Sequence, residues 1–551
     1  MAEVQDANVL PRAATPESVG VSSRAVLNLL DEFDKQGLEY HGLMILRHGQ
    51  VAYEIFRRPY APDIPHNIYS FSKSIAATAA GFAIDEGLFR LDSRISELFP
   101  EYQPTRAAGF KQQYIDRWNA VTVRHIITMT SGLAFDVFHQ NSSPDWVKDY
   151  LHSKLRDEPG TKFHYTNECA YLISALVTKL TGQTMFEYLT PRFFQPLGIA
   201  VPYSETDAQG RQAGGWGIYW TLEDSAKFTQ VYLNNGKWNG VQVLPEWWAK
   251  EATSALVSNA DNFKRDSRAG YGYQFWQCSL PNTYASRGMF CQQGIGMRDY
   301  DAVFVFFGAD ADEQKPYDVI YPHFPSGFVD DGAEVDEAAL ELIHTRAATL
   351  SFPEPPVSPR YAEKEAALQN STLKLRHQLI LNLTSYPQSF LPMTVNQMAV
   401  DRAGNINNIR LSFSENELQF SWTEGKDARW KNSVPLGLDG GYRVGHVSLS
   451  GFELETRGYA HWLDENTLFL SIRPMESGCN RTFRITFRGK CVRVQPGGTP
   501  EFVAIANNLA KLSKQYLGGS NFLHFWSRQI FKIAPKILES AIRGQVIVNS
   551  E

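Results

Sequence analysis

The sequence predicts an α/β chain, with one sheet flanked by helices beside a helical lobe, followed by a second, β-rich domain. Three observations carry this reading. Strand-like runs stand at both ends of the first 350 residues with helical runs between them, a proline-rich charged stretch follows, and beyond it come short alternating runs separated by turn residues. At 551 residues the chain is too long for one ordinary core, and 43% hydrophobic with 20% charged residues is a globular composition.

Taken in order, a helical pattern over residues 22–35 precedes LMILRHGQVAYEIF (43–56), two strands around a His48-Gly49-Gln50 turn. IYSFSKSIAATAAGFAIDEG (68–87) is a helix of small and apolar residues, buried on most of its circumference and stopped by Gly87. A mostly helical stretch then runs to about Ala255, through TVRHIITMTSGL, AYLISALVTKLTGQTMFEYL and TLEDSAKFTQVYLNNG. Strand signals return at YGYQFWQC (271–278), around Met289 and at DAVFVFFGAD (301–310), and a helix over 336–350 closes the region. Strands from both ends must share one sheet, and the crevice between sheet and helical lobe is the expected ligand site. Residues 1–350 therefore form the first domain, 351–366 a linker, 367–500 the β-rich domain and 501–551 a helical segment. In that last segment NFLHFWSRQIFKIAPKILESAI mixes aromatic and basic residues, and packing against a domain is favoured over lying on a membrane.

A formal net charge of -6 without a basic stripe excludes nucleic acid as an expected partner. No apolar run is long enough to span a bilayer, and the first twenty residues lack the basic leader and apolar core of a secretory signal, so a cytoplasmic location is expected. Five cysteines without paired spacing read as reduced thiols, and thirteen scattered histidines form no zinc pattern, so neither metal nor cofactor is expected. The oligomeric state is left open.

Chemistry concentrates at Ser70 and Lys73. Three apart on a helix, their side chains share a face, and a desolvated lysine with a lowered pKa can take the proton that makes a serine hydroxyl nucleophilic. Ser371 and Lys374 repeat the spacing, but they open no buried helix. A second element, FHYTNECAYLI, holds Tyr165, a hydroxyl able to relay that proton, and Asn167, an amide able to hold a carbonyl or the lysine. Tyr232 and Asn234 repeat this pattern at a helix end, where the structural reading wins.

IYSFSKS, RHIITMTSGL, HYTN, LTGQTMFEYLTPRFFQPLGI and GGWGIYWTLEDSAKFTQVYLNNGKWNG together resemble the serine β-lactamase and penicillin-binding-protein superfamily, in its class-C-like branch of esterases, D-amino peptidases and nylon-oligomer hydrolases. The resemblance covers residues 14–350 and implies an antiparallel sheet flanked by helices plus a helical lobe. The β-rich end looks like the accessory domain of some members. The resemblance implies Ser70 as acylated nucleophile, Lys73 as general base, Tyr165 as proton shuttle and Asn167 as positioning residue. The family's third element falls at Ser286, Arg287 and Gly288, and the amides of Ser70 and Met289 would form the oxyanion hole. Ser286 stands where the family usually has a cation, while Arg287, one residue on, should point to the opposite face. His125 and Ser131-Gly132 also match, and are read as a helix start and a turn. Trp216 and Tyr219 either line the crevice or fill the lobe's core. The expected activity is hydrolysis of a small-molecule ester or amide through an acyl-enzyme. An acyltransferase using the same intermediate and a non-catalytic binding protein are the alternatives. An α/β-hydrolase is disfavoured because no Gly-x-Ser-x-Gly occurs.

Overall fold

Six strands, β1 (Tyr40–Arg47), β2 (Gln50–Phe56), β3 (Trp276–Gln277), β4 (Thr283–Gly288), β5 (Gln292–Met297) and β6 (Ala302–Gly308), join in the order β2-β1-β6-β5-β4-β3. All neighbours are antiparallel. The apolar strands β1 and β6, remote in the chain, pair inside the sheet, with Leu43 opposite Phe306 and Ile45 opposite Phe304. Every residue of β6 is buried, which is why it reads as a continuous apolar run rather than an alternating one.

This computed structural model describes residues 8–133, 144–369, 371–376, 390, 405–425, 430–449, 452–501, 503, 504, 507 and 540–548. Five helices matter for the site: α1 (Ser23–Lys35), α2 (Ser72–Asp85), α3 (Asn167–Thr181), α4 (Leu222–Leu233) and α5 (Glu337–Thr349). Leu29, Leu30 and Phe33 of α1 and Ala339 and Ile343 of α5 join Phe304 and Phe306 in one core on one face of the sheet. Helix α4 packs on β6, β5 and β1. Helix α2 is buried from Ser72 to Ala83 and packs on α3 of the lobe. Gly81 is required there, because a Cβ would come within 2.6 Å of the Trp248 ring. The expected fold is what forms: an antiparallel sheet with helices and a helical lobe.

Contacts divide the chain into two units, Met1–Leu350 and Ser351–Glu551. The described part of the second unit begins with an irregular segment and α6 (Ala362–Gln369). Its strands are β7 (Ser371–Arg376), β8 (Ile406–Phe413), β9 (Glu417–Glu424), β10 (Trp430–Gly437), β11 (Arg443–Leu449), β12 (Phe452–Asp464), β13 (Thr467–Pro474), β14 (Asn480–Arg488), β15 (Cys491–Thr499) and β16 (Ile542–Val548). They run β10-β9-β8-β7-β16-β15-β14-β13-β12-β11, and a further pairing of Gly437 on β10 with Tyr459 on β12 curls the sheet into a barrel. The alternating burial of β9, β14 and much of β15 matches the alternating sequence, one face in and one out.

Two expectations change. Residues 351–366 are not a free linker: Ser358 accepts from Trp462 N at 2.8 Å, Arg473 lies over the Phe352 ring, and Glu365 accepts from Trp462 Nε1 at 2.9 Å, tying the segment to the barrel. The expected helical segment 501–551 contains strand β16, inserted between β7 and β15, because Ile542–Val548 completes hydrogen-bond ladders on both sides. The aromatic and basic run over 521–539 lies outside the described residues.

Among the described residues no helix is long and apolar enough to cross a membrane. Among the described residues there is no disulfide, and of the five cysteines only Cys491 is exposed.

Candidate active site

The nucleophile segment is set by a short ribbon in which His66–Asn67 pairs with Tyr219–Trp220. Asn67 Oδ1 accepts from Tyr69 N at 2.9 Å, and the chain turns through a 3₁₀ segment, Tyr69–Phe71, into α2. Ser70 is half-buried in that turn, while Lys73, 1% exposed, lies one turn on. Lys73 Nζ donates to Ser70 Oγ at 2.9 Å, Asn167 Oδ1 at 2.7 Å and Gly215 O at 2.6 Å. Three ammonium hydrogens thus meet three neutral acceptors. Burial pulls the Lys73 pKa down from 10.5 to about 7, against the opposing pull of Glu168, Cys169 and Glu313.

Tyr165 and Asn167 are brought together by the residue between them. Thr166 is the N-cap of α3, extended at φ -137° and ψ 152°, with its hydroxyl accepting from Cys169 N at 3.4 Å. An extended residue places the side chains before and after it on the same side, here toward Lys73. The Tyr165 ring lies 4.9 Å from Lys73 Nζ, and its other face of contact is Trp276 on β3, with ring centroids 5.2 Å apart.

Strand β4 closes the other side. A Cβ on Gly288 would fall 2.1 Å from Ile68 O, so only glycine lets this strand pass against the nucleophile segment. Ser286 is buried within β4 and Met289 follows its end. Arg287 is buried and engaged elsewhere: it donates to Asp266 O and to Ser267 Oγ, and its guanidinium lies 4.5 Å from the Tyr317 ring centroid and 5.4 Å from that of Trp276. This agrees with strand alternation, which sends it to the face opposite Ser286.

Backbone strain gathers at the same place. Among the described non-glycine residues with positive φ, His48, Asn235, Asn239, Asn282 and Asp301 are types that tolerate the left-handed region. The other five are Tyr69, Met129, Gln274, Phe290 and Cys291. Tyr69 precedes Ser70, and Phe290 and Cys291 follow Met289. Met129 O accepts from His164 N beside Tyr165, and Gln274 O accepts from the hydroxyl of Ser74, next to Lys73. Such conformations cost on the order of 1–3 kcal/mol each and persist where surrounding packing holds them.

The structure brings Ser70, Lys73, Asn167, Tyr165 and Gly288 into one cluster. Trp216 is buried, donating to Glu205 at 3.3 Å and packed on Trp146, so its ring belongs to the lobe's core. Tyr219 is also buried. Its hydroxyl accepts from Asn67 Nδ2 at 3.4 Å, which links it to the nucleophile turn. His125 caps a helix start, accepting from Thr122 N, and Gly132 sits at φ 83° where a Cβ would strike Asp157 O. Ser371 and Lys374 lie on strand β7, where a three-residue spacing puts them on opposite faces, one buried and one exposed. Tyr232 is buried in α4, bonded to Thr78. Sequence reasoning missed Asn67, Trp276 and Gly215. The glycine cluster around Gly215 was the available signal, since a Cβ there would lie 3.1 Å from Asn167 O.

Among curated proteins, a 6-aminohexanoate-dimer hydrolase of Paenarthrobacter ureafaciens is 24% identical over 255 residues, 43% of this chain and 63% of that protein. Protein flp of Staphylococcus aureus (strain NCTC 8325 / PS 47) is 24% identical over 144 residues, 25% of this chain and 27% of that protein. The chain thus spans less than two thirds of each of these relatives. Among solved structures, a penicillin-binding protein homologue from Caulobacter crescentus aligns at 16% identity and TM-score 0.45, covering 56% of this chain and 99% of its own. The octameric penicillin-binding protein homologue from Pyrococcus abyssi aligns at 14% identity and TM-score 0.44, covering 81% and 97%. The Beta-lactamase family matches residues 28–319, more than half of the chain, and to that family the chain belongs.

Proposed function

We propose that this protein is a serine hydrolase that cleaves a neutral ester or amide through an acyl-enzyme on Ser70. The observation that carries the reading is Lys73: a buried amine, 2.9 Å from Ser70 Oγ, whose hydrogen-bond partners are all neutral. At neutral pH a substantial fraction of such a lysine is the free amine and can accept the serine proton. Ser70 Oγ then bonds to the carbonyl carbon as its proton passes to Lys73 Nζ, and the carbonyl electrons move onto oxygen. The amides of Ser70 and Met289 are assigned to that oxygen. Each lies in a short 3₁₀ turn, at its second and first position, where N–H groups have no acceptor within the turn. Collapse of the intermediate breaks the bond to the leaving group, which takes its proton by way of Tyr165. Water then repeats the sequence on the acyl-enzyme, and Ser70 recovers its proton. Asn167 and Gly215 O hold the amine in place throughout.

Labelling with a fluorophosphonate followed by peptide mapping tests this reading. Modification at Ser70, absent in Ser70→Ala, is expected, and labelling elsewhere or not at all refutes it. The neutral substrate class follows from Ser286, which offers no full charge, and from Arg287, whose guanidinium is committed to Asp266, Ser267 and the Tyr317 ring. A nitrophenyl ester is therefore turned over much faster than a cephalosporin chromogen, and Ser286→Lys narrows the gap. Efficient cephalosporin hydrolysis by the wild type would overturn the substrate class.

A further inference from the structure

An oxyanion hole built from two backbone amides works only if both point at one oxygen, and here the amides of Ser70 and Met289 come from segments remote in the chain. Backbone alone fixes one side of their approach, where Gly288 lies so close to Ile68 O that no Cβ fits. Between the same two segments two aromatic rings also meet. Tyr69 and Phe290 are buried, 4% and 1% exposed, with ring centroids 5.2 Å apart and planes at 84°, an edge-to-face pair.

Each ring belongs to a residue beside an amide of the hole, and each of those residues is in the left-handed region. Tyr69, at φ 44°, carries the peptide whose nitrogen is Ser70 N, and Phe290, at φ 61°, follows Met289 directly. Cys291, at φ 70°, extends the strained turn, and its thiol lies 3.5 Å from both Asp310 O and Asp312 O, which share its one hydrogen. Bulky side chains are costly in this conformation, and glycine would hold it without strain. Keeping rings at both positions makes sense when the rings themselves perform a task.

We propose that Tyr69 and Phe290 are positioning residues, whose edge-to-face pair sets the gap between the Ser70 and Met289 amides. This rests on the oxyanion hole assigned above. The pair acts through the backbone, so it affects the tetrahedral state and leaves ground-state binding nearly untouched.

The test follows the second-order rate of Ser70 labelling by a fluorophosphonate, the kcat and KM for a nitrophenyl ester, and the affinity for phenylboronic acid, which forms a tetrahedral adduct on the serine. Phe290→Ala and Tyr69→Ala are each expected to lower the labelling rate and boronate affinity together by about tenfold or more, with KM within about twofold. The double variant falls no further than the worse single one. Phe290→Gly, which relieves the strain but removes the ring, loses as much as Phe290→Ala, and Phe290→Tyr recovers most of the loss. If an alanine variant does not fold, as judged by circular dichroism, Phe290→Leu and Tyr69→Leu replace it with the same expectation. Wild-type boronate affinity in these variants, a loss confined to KM, or an active Phe290→Gly would overturn the clasp while Ser70 labelling still stands. If wild type is not labelled at Ser70, the hydrolase reading fails and the clasp with it.

Discussion

Titrating the rate of Ser70 modification probes the proposed base directly. Lowering a lysine from 10.5 to about 7 corresponds to roughly 5 kcal/mol in favour of the neutral amine in the fold. If deprotonated Lys73 is the base, the labelling rate rises about tenfold between pH 6 and pH 8 and then levels, because the free-amine fraction saturates just above its pKa. A lysine left at its ordinary value would give about a hundredfold rise over the same interval, continuing past pH 9. The assay is pseudo-first-order labelling with a fluorophosphonate across that range, corrected for the reagent's own hydrolysis. Glu168 opposes the shift through its charge, so Glu168→Gln moves the acid limb to lower pH. Stability carries the same signature with a definite sign. The unfolded chain keeps this proton to higher pH than the fold does, so the Lys73 contribution rises as pH climbs from about 7 toward 10.5. Lys73→Met removes the burial penalty but leaves Asn167 Oδ1 and Gly215 O without their donor, about 1–3 kcal/mol each. Its net effect on Tm is therefore small while labelling collapses. A labelling rate that is flat across this range would refute Lys73 as the base, and one that climbs a hundredfold without levelling would refute its lowered pKa.

Tyr165→Phe and Lys73→Ala are each expected to lower acylation by about two orders of magnitude or more, and the double variant to fall well short of the product, since both serve one proton path. Single-turnover kinetics of ester cleavage measures this, and multiplicative losses would mean that one residue is wrongly assigned. In the second unit, burial raises the Glu424 carboxyl to about 7 although Phe390 N and Trp422 Nε1 donate to it. The unfolded carboxyl ionises first, so this group's stability is present below about pH 4.5 and is lost as pH rises through 7, by roughly 3 kcal/mol. Glu424→Gln flattens that dependence in chemical denaturation of the full chain, and an unchanged pH slope would place the effect elsewhere.

The nucleophile helix, the Ser70 and Lys73 pair, the β-rich second half and the family were legible because each rests on local pattern. Helical spacing places residues three apart on one face, and alternating burial marks strands with one solvated side. Glu168, Asn67 and Trp276 were not legible as site neighbours, because nothing local links them to Ser70 or Tyr165. Strand β16 was misread for a similar reason: Ile542–Val548 becomes a strand only by completing the ladders of β7 and β15, which are far away in the chain.

By itself the sequence determined which side chains can do chemistry and which elements carry them, since spacing, caps and apolar periodicity act over a few residues. Tertiary structure alone decided that Lys73 meets three neutral acceptors, that Asp266 and Ser267 are the groups receiving Arg287, and that Gly288 passes against Ile68. Those outcomes depend on burial and on contacts between distant segments, and both exist only once the sheet and the helical lobe have packed together.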